Sequence, residues 1–596
     1  VVSALPGTER PFKVSPQCVG GNMVQKRSFY TVCVLAALCA ASGSTSFAQV
    51  APTTAPEPHS AAPPSNAHTG GTLRLAAQNS GGTLDPQVSY ISLIKELETP
   101  VYDGLLAFPK FAGSTAQPVI ANLAEAVPQP EDGGRTYRFT LRPNLHFSNG
   151  QVVNVEDVAA SFRRLFKVGS PTAGPYYSHI VGAEACLHAP AHCTLAGGIE
   201  TDSATRTITF HLTQPDAEFL DRLAWFHAAI LPASTPPHDT GNTAPPGTGP
   251  YRVTRYDPAT GMVLERNPYF REWAHDAQPA GYVDAIQVTF GLDPEGEVTA
   301  IENGQYDWMY EDVPLDRLGE VGSRYAGQVQ IYTLLLYYYA ALNVRIPPFN
   351  SLKARQALNY AINRHAMVIY HGGAAVATPL CQLLPQGAPG YAPSCAYTKG
   401  ASPAHPLPQW QAPDLEEARK LMRESGTAGQ KVTIIAPLEG RYAAMAMELR
   451  STLASLGYEA SVRSMTQTVQ FPYVQNSDNH VQLALTGWNA DYPSASTFLQ
   501  TLFACASFRP HSDNSPNMSA FCKPDIDALM NKASAAALSS PTESMQRWAE
   551  ADRALMTQAP AVPLVQIKRV SLLSKRTRNA IVTLNDEILL SQLQVR

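Results

Sequence analysis

From about residue 70 to the C-terminus, hydrophobic residues recur at two different periods, two and about 3.6, in irregular alternation, and this mixture confines the chain to mixed α/β domains. Tyr137, Phe139 and Leu141 alternate with polar neighbours, as do Ile208, Phe210 and Leu212, then Ile286, Val288 and Phe290, and later Val481, Leu483 and Leu485. Each set puts its apolar side chains on one face of a half-buried strand. Helical spacing is equally plain. Asn154 precedes a run whose Val155, Val158, Ala159, Phe162, Leu165 and Phe166 share one face, with Asp157 in the reciprocal capping position. Asp414 and Glu417 open a second helix that Gly426 is placed to end, and Ala354, Ala357, Leu358, Ala361 and Ile362 mark a third. Proline-rich loops such as residues 232–250 separate the segments, and no internal repeat is found.

A stretch of more than 500 residues is too long for one core, so two or three domains are expected. Upstream, Lys26 and Arg27, the apolar run from Phe29 to Ala41 and the small residues ending in Ser46-Phe47-Ala48 make Met23 to Ala48 a cleavable secretory signal, with residues 1–22 outside the fold. The run is shorter than the roughly 20 residues of a membrane span. Cys33 follows Val32 and Cys39 follows Leu38, without the small preceding residue of a lipoprotein, so a soluble, exported mature protein is expected. Residues 49–69 are dense in Pro, Ala, Ser and Thr and form a flexible leader. The net charge is −5, charged residues are 16% of the chain, and no basic block offers a phosphate footprint, which excludes nucleic acid as a partner.

Three of the nine cysteines precede the mature start. The other six fall into neighbouring pairs, and among the connectivities open to them proximity favours Cys186 with Cys193, Cys381 with Cys395, and Cys505 with Cys522. In an oxidising compartment such staples contribute about 2–4 kcal/mol each. The cluster Cys186, His188, His192 and Cys193 has the ligand types of a zinc site, but the four crowd into eight residues around Pro190, and the disulfide is the expected fate; no metal and no cofactor are assigned.

No G-x-S-x-G elbow, H-E-x-x-H pair, Walker loop or G-x-G-x-x-G fingerprint occurs. Gly247-Thr-Gly249-Pro250-Tyr251 resembles a phosphate cradle only superficially, because a proline and then a strand follow the second glycine. A tight turn is expected there. The common enzyme classes lose their support, and a secreted hydrolase would need a carboxylate pair that spacing does not reveal.

Several blocks in one order resemble the solute-binding proteins of peptide-type ABC importers, the dipeptide, oligopeptide and nickel-binding proteins of family 5. They are Gly71-Thr-Leu-Arg-Leu75, Leu84-Asp85-Pro86 and Tyr102-Asp103-Gly104-Leu105, then Tyr137 to Arg142, Phe147-Ser-Asn-Gly150 and Val155-Glu-Asp157-Val158. Gly247 to Tyr251, Arg266-Asn-Pro-Tyr269, Arg355-Gln-Ala-Leu358, Trp488-Asn489-Ala490-Asp491-Tyr492-Pro493 and Pro560-Ala-Val-Pro563-Leu564 complete the series over residues 70–596. The resemblance implies a two-lobed α/β periplasmic binding protein (Venus-flytrap) fold with an additional smaller inserted domain, closing over its ligand by hinge motion. It implies lobe I from residues 70–105, 206–334 and 563–596, an inserted domain at 106–205 and lobe II at 335–562, with hinges near 334–339 and 560–564.

What the resemblance implies for function is a monomeric, non-enzymatic periplasmic receptor that captures a short peptide and delivers it to ABC permease subunits in the inner membrane. A nickel chelate, an opine or an oligosaccharide is the alternative cargo. Asp491 matches the aspartate that relatives use for the ligand ammonium, with Trp488, Asn489 and Tyr492 beside it. Arg441 is the expected partner of the ligand carboxylate, and Tyr339, in the run Tyr337-Tyr338-Tyr339, is expected at the cleft. The alternative for Asp491 is a cap on the helix that begins near Ser494. Cys505 and Cys522 resemble a pair in dipeptide-binding members.

Overall fold

A computed structural model of the chain describes residues 69–78, 82–111, 119–438, 440–583 and 588–596. These lie in the unit Ser60–Arg596; the unit Val1–His59 and the rest of the leader up to residue 68, with the export segment, lie outside the described residues. Among the described residues no helix is long and apolar enough to cross a membrane.

Three sheets carry the architecture. The first has five strands in the order Trp308–Met309, Thr72–Ala77, Ala285–Phe290, Gly261–Arg266 and Tyr251–Asp257. Leu73 lies opposite Ile286 and Leu75 opposite Val288, and all four are buried in one core with Leu264, Trp308 and Leu593. The alternation seen in the sequence thus becomes a buried face. The turn at Gly247–Gly249 leads into the last strand and is stitched to an earlier segment: Gly249 N donates to Val101 O and Tyr251 N to Pro100 O. Both glycines are needed for that approach, since a Cβ at Gly247 would lie 2.1 Å from Val101 O and one at Gly249 2.4 Å from Pro100 O. The expected turn is what forms.

The second sheet is small and antiparallel, with Thr207–His211 between Thr136–Thr140 and Ile199–Asp202. Helix Val155–Lys167 packs on it, its start held by Asp157 accepting from Asn154 N at 2.8 Å. Phe162 meets Phe210 at 5.0 Å and Phe139 meets Phe210 at 5.8 Å, both edge to face, as aromatic quadrupoles prefer. This core runs on to Ile230. The boundary expected at residue 205 is therefore corrected, because the strand just after it is the central one of the inserted sheet, and a strand belongs where its two neighbours are.

The third sheet has six strands, in the order Ala377–Pro379, Ala561–Leu572, Val329–Leu342, Leu483–Asn489, Lys431–Pro437 and Glu459–Met465. Its core takes in Leu358, Leu449, Phe498 and Leu555 from flanking helices. Helix Leu415–Ser425 starts with Asp414 accepting from Glu417 N at 3.1 Å and stops at Gly426 in the left-handed region, as its sequence implies. All three expected disulfides are present. Cys186 and Cys193 are joined, so neither thiolate is available to a metal beside His188 and His192.

Two long strands tie the lobes together. Val329 to Thr333 pair with Leu572 to Lys568, the register breaks, and pairing resumes from Tyr337 opposite Gln566 to Ala341 opposite Ala561. Val570 and Leu572 pack with Val298, Ile301 and Met309 of the first lobe, whereas Leu564 and Val565 lie in the core of the second. The crossing point is thus at 333–337 opposite 566–568. The first expected hinge overlaps it, but the second, at 560–564, and the lobe boundary at 562/563 are displaced, because the first half of Ala561–Leu572 packs in the second lobe.

Asp552, on helix Pro541–Gln558, accepts from Gln382 Nε2 at 2.8 Å, Leu383 N at 3.0 Å and Leu384 N at 3.3 Å. Burial pushes its carboxyl up to about 6 from an ordinary 3.8, although these donors pull the other way. The native protein then holds a proton that the unfolded chain has released, so this contribution to stability falls as pH rises from below about 4 to above about 6. We expect wild type to lose about 3 kcal/mol relative to Asp552→Asn between those limits, measured by urea unfolding at pH 4 and pH 7. A difference that does not change with pH would mean that Asp552 is ionised throughout.

Candidate functional site

Strand Leu483–Asn489 runs beside the crossing strand, with Trp488 opposite Tyr337, and delivers Asp491 into the turn that precedes helix Ser496–Phe503. Asp491 does not cap that helix, whose flanking residue is Ala495. Instead its Oδ2 accepts from the hydroxyl of Tyr176, which belongs to the inserted domain. Tyr90 lines both cavities beside this carboxylate. Burial first, and the Asp491 charge second, hold the Tyr176 phenol well above its usual range, so Tyr176 meets Asp491 as a neutral donor. Among the described residues no Lys or Arg pairs with it.

Two cavities meet at this cluster, sharing Tyr90, Trp488 and Asp491. One, of about 380 Å³, is lined by Lys95, Trp225, Phe226, Phe471, Asn489 and the shared residues. The other, of about 440 Å³, adds Tyr176, Glu218, Arg222, Gln500 and Arg509. Both volumes fall within the range of small-molecule sites, roughly 300–1,000 Å³. Trp488 is held by Nε1 donating to Thr497 O at 2.8 Å, which fixes its ring as a wall.

Tyr492 lines the 440 Å³ cavity and also ties the second lobe to the inserted domain. It is 3% exposed, and its hydroxyl donates to Glu218 Oε2 of the inserted domain at 2.9 Å. Glu218 also accepts from the hydroxyls of Ser494 and Ser496 and from Arg222 Nη2 at 3.3 Å. Arg222 is anchored on Asp216 at 2.6 Å. One carboxylate thus receives hydrogen bonds from three hydroxyls of the second lobe and a cation of the insert. Behind it half-buried Asp221 is pushed up to about 8 by desolvation and by the charge of Glu218, which keeps a third negative charge, beside Glu218 and Asp216, off the cluster at neutral pH.

Two of the expected residues lie away from these two cavities. Tyr339 is 1% exposed and packs on Tyr337 at 5.4 Å inside the second lobe's core. Successive side chains of a strand point to opposite faces, so Tyr338 alone of the three turns the other way, to Tyr442, whose hydroxyl it meets at 2.5 Å. Arg441, at the start of helix Gly440–Ser455, sits 3.4 Å from His371 Nε2 and lines neither cavity. Trp488, Asn489, Asp491 and Tyr492 are brought together at the cavities. Lys95, Trp225, Phe226, Tyr90, Tyr176, Glu218 and Arg222 come from other parts of the chain. Their only local signal is aromatic density, Trp225-Phe226 and Tyr176-Tyr177. Among the described residues no group of three His, Cys, Asp or Glu side chains is arranged to hold a metal.

The family model of the bacterial extracellular solute-binding proteins, family 5 Middle, matches residues 118–509. Probable di/tripeptide-binding protein 5 of Pseudomonas aeruginosa (strain UCBPP-PA14) is 26% identical over 471 residues, 75% of this chain and 81% of that protein. Probable deoxycholate-binding periplasmic protein YgiS of Escherichia coli (strain K12) is 24% identical over 506 residues, 83% and 87% of the two chains. Among solved structures, clavulanic acid biosynthesis oligopeptide binding protein 2 superposes with a TM-score of 0.77 at 23% identity, covering 89% of this chain and 96% of that one.

Glu218→Ala removes the acceptor of the three hydroxyl hydrogen bonds that Tyr492, Ser494 and Ser496 donate to the insert, leaving only the 3.5 Å contact from Arg222 Nε to Tyr492 Oη there. With hydrogen bonds to charged groups at about 1.5–3 kcal/mol each, the lobes should separate, seen as a larger radius of gyration by small-angle X-ray scattering. Arg441→Ala should leave ligand affinity within about twofold of wild type, well under 1 kcal/mol; a large loss would return Arg441 to the site.

Proposed function

The chain belongs to the bacterial extracellular solute-binding proteins of family 5, and on that footing we propose that it captures a short peptide outside the cytoplasm and delivers it to the permease subunits of an ABC importer. The observation that carries this reading is Asp491. It is a half-buried carboxylate between two cavities, its hydrogen-bond donor is the neutral phenol of Tyr176, and it stands where the second lobe meets the insert. A peptide's terminal ammonium supplies the cation this anion lacks, and burial between closing lobes strengthens the pair.

The similarity to a probable di/tripeptide-binding protein supports a ligand of that size. The aromatic walls, Trp225 and Phe226 against Trp488 and Phe471, supply contact area for its side chains at low entropy cost. A bile-acid ligand, suggested by the deoxycholate-binding relative, would suit these walls, but its carboxylate would meet Asp491 as a like charge. A cationic terminus fits the cleft better.

In this reading the protein is a soluble periplasmic monomer that performs no chemistry on its ligand. Capture proceeds by closure: the ligand enters between lobes joined at 333–337 and 566–568, and contacts such as those to Glu218 hold the lobes around it. Affinity follows from contacts that exist only in the closed form.

Native mass spectrometry of protein released from cells should show a bound small molecule, absent from Asp491→Asn. Deleting one partner of a buried charge pair costs about 2–5 kcal/mol, so the affinity of the mutant for peptide should fall by a factor on the order of 30 or more. Retention of the ligand by Asp491→Asn would remove Asp491 from the site, and cleavage of the peptide during incubation would overturn the receptor reading.

A further inference from the structure

Behind Trp225 and Phe226 lies a third, smaller chamber of about 80 Å³, whose lining includes Lys95, Glu98, Asp103, Lys110, Trp225 and Thr583. Lys95, Trp225 and Phe226 line both this chamber and the 380 Å³ cavity, so the two spaces adjoin across these side chains. Four buried polar atoms of the lining have no hydrogen-bond partner: both carboxyl oxygens of Glu98, Trp225 Nε1 and Thr583 Oγ1. Buried polar atoms are paired in roughly nine cases in ten. Four orphans on the wall of one small chamber point to a guest.

The remaining polar groups there are committed to the protein. Asp103 accepts from Asn122, Thr248 and Gln278 at 2.7 to 2.9 Å, and Lys110 donates to Gln278 at 2.9 Å. Lys95 holds its ammonium 5.0 Å over the Trp225 ring. Glu98 is fully buried, and Asp85, whose charge acts on it, is already gripped by Arg164 at 3.0 and 2.5 Å. Burial, and after it the charge of Asp85, hold the Glu98 carboxyl well above the usual carboxylate range. What Glu98 lacks is donors, two oxygens' worth. An ammonium or guanidinium head offers several N–H groups and a charge that would let the carboxyl ionise, its proton leaving to bulk water. Water needs only about 10–15 Å³ of such space, so the chamber has room for a cationic head and a water to meet Trp225 Nε1.

We propose that this chamber is a side-chain subsite that takes the cationic head of a basic residue in the bound peptide, with Glu98 as its counter-ion. The inference rests on the peptide reading of the adjoining cleft. It makes Glu98 a specificity-determining residue, as distinct from Asp491, which would hold the ligand's terminus.

The test uses the full mature protein and calorimetric titration with trialanine and with tripeptides carrying lysine or its uncharged counterpart norleucine at each position in turn. At one position lysine should bind about tenfold or more tighter than norleucine, and Glu98→Gln should abolish that preference while keeping wild-type affinity for trialanine. Equal binding of lysine and norleucine at every position in the wild type overturns the proposal without any protein variant, as does a preference that survives Glu98→Gln. If the wild type binds no peptide, the peptide reading fails and the chamber is judged separately. Methylguanidinium should then raise the unfolding temperature of wild type above that in sodium chloride of equal ionic strength, and should not do so for Glu98→Gln. No such rise removes the subsite.

Discussion

The antiparallel pairing of Val329–Leu342 with Ala561–Leu572 is the interaction on which the rest of this structure depends. One end of the pair is packed in the first lobe and the other in the second. Between them the register slips, so the ladder of hydrogen bonds that would stiffen the connection is interrupted there. A continuous ladder would fix the lobes, whereas a single covalent linker would leave their mutual orientation undefined. Two strands with a broken register give one soft axis between two stiff bodies, which is what closure over a ligand requires.

That axis gives the cleft its chemistry. Trp488 and Asp491 lie at or just beyond the end of the strand that pairs with the crossing strand, so their position against Tyr90, Tyr176 and Trp225 depends on how far the lobes have closed. The Glu218 cluster works at the same boundary. Its carboxylate accepts from Tyr492, Ser494 and Ser496, close in sequence to Asp491, so the residue that would hold the ligand and the residues that hold the lobes together move as one segment. Arg222 offsets the cost of burying Glu218, and the neutral Asp221 avoids adding to it.

How much of this was legible beforehand depended on whether the cause was local. The capped helices at Asn154 and Asp414, the turn at Gly247 and the three disulfides follow from chemistry among neighbours in sequence, and each appears where expected. Tyr339 and Arg441 lie away from the two cavities because neither position depends on neighbours alone. Which of three consecutive tyrosines faces the core is set by the strand's parity within a sheet, and Arg441 turns to His371, which comes from another helix. Likewise the strand at 207–211 sits in the inserted domain because of its two partners, not because of its own residues.

By itself the sequence determined the α/β class, the family blocks, the cysteine pairing and the prominence of Trp488, Asn489 and Asp491, because periodicity, capping and short-range closure are written into adjacent residues. The tertiary structure alone decided where the lobes cross, that Tyr492 joins Glu218 in holding them together, and that Lys95, Glu98, Trp225 and Tyr176 surround the cleft. Those residues come from separate segments of the chain, and Tyr492 lies more than 250 positions beyond Glu218. Only the burial of the cores and the pairing of two long strands bring them together, and neither leaves a local trace in the chain.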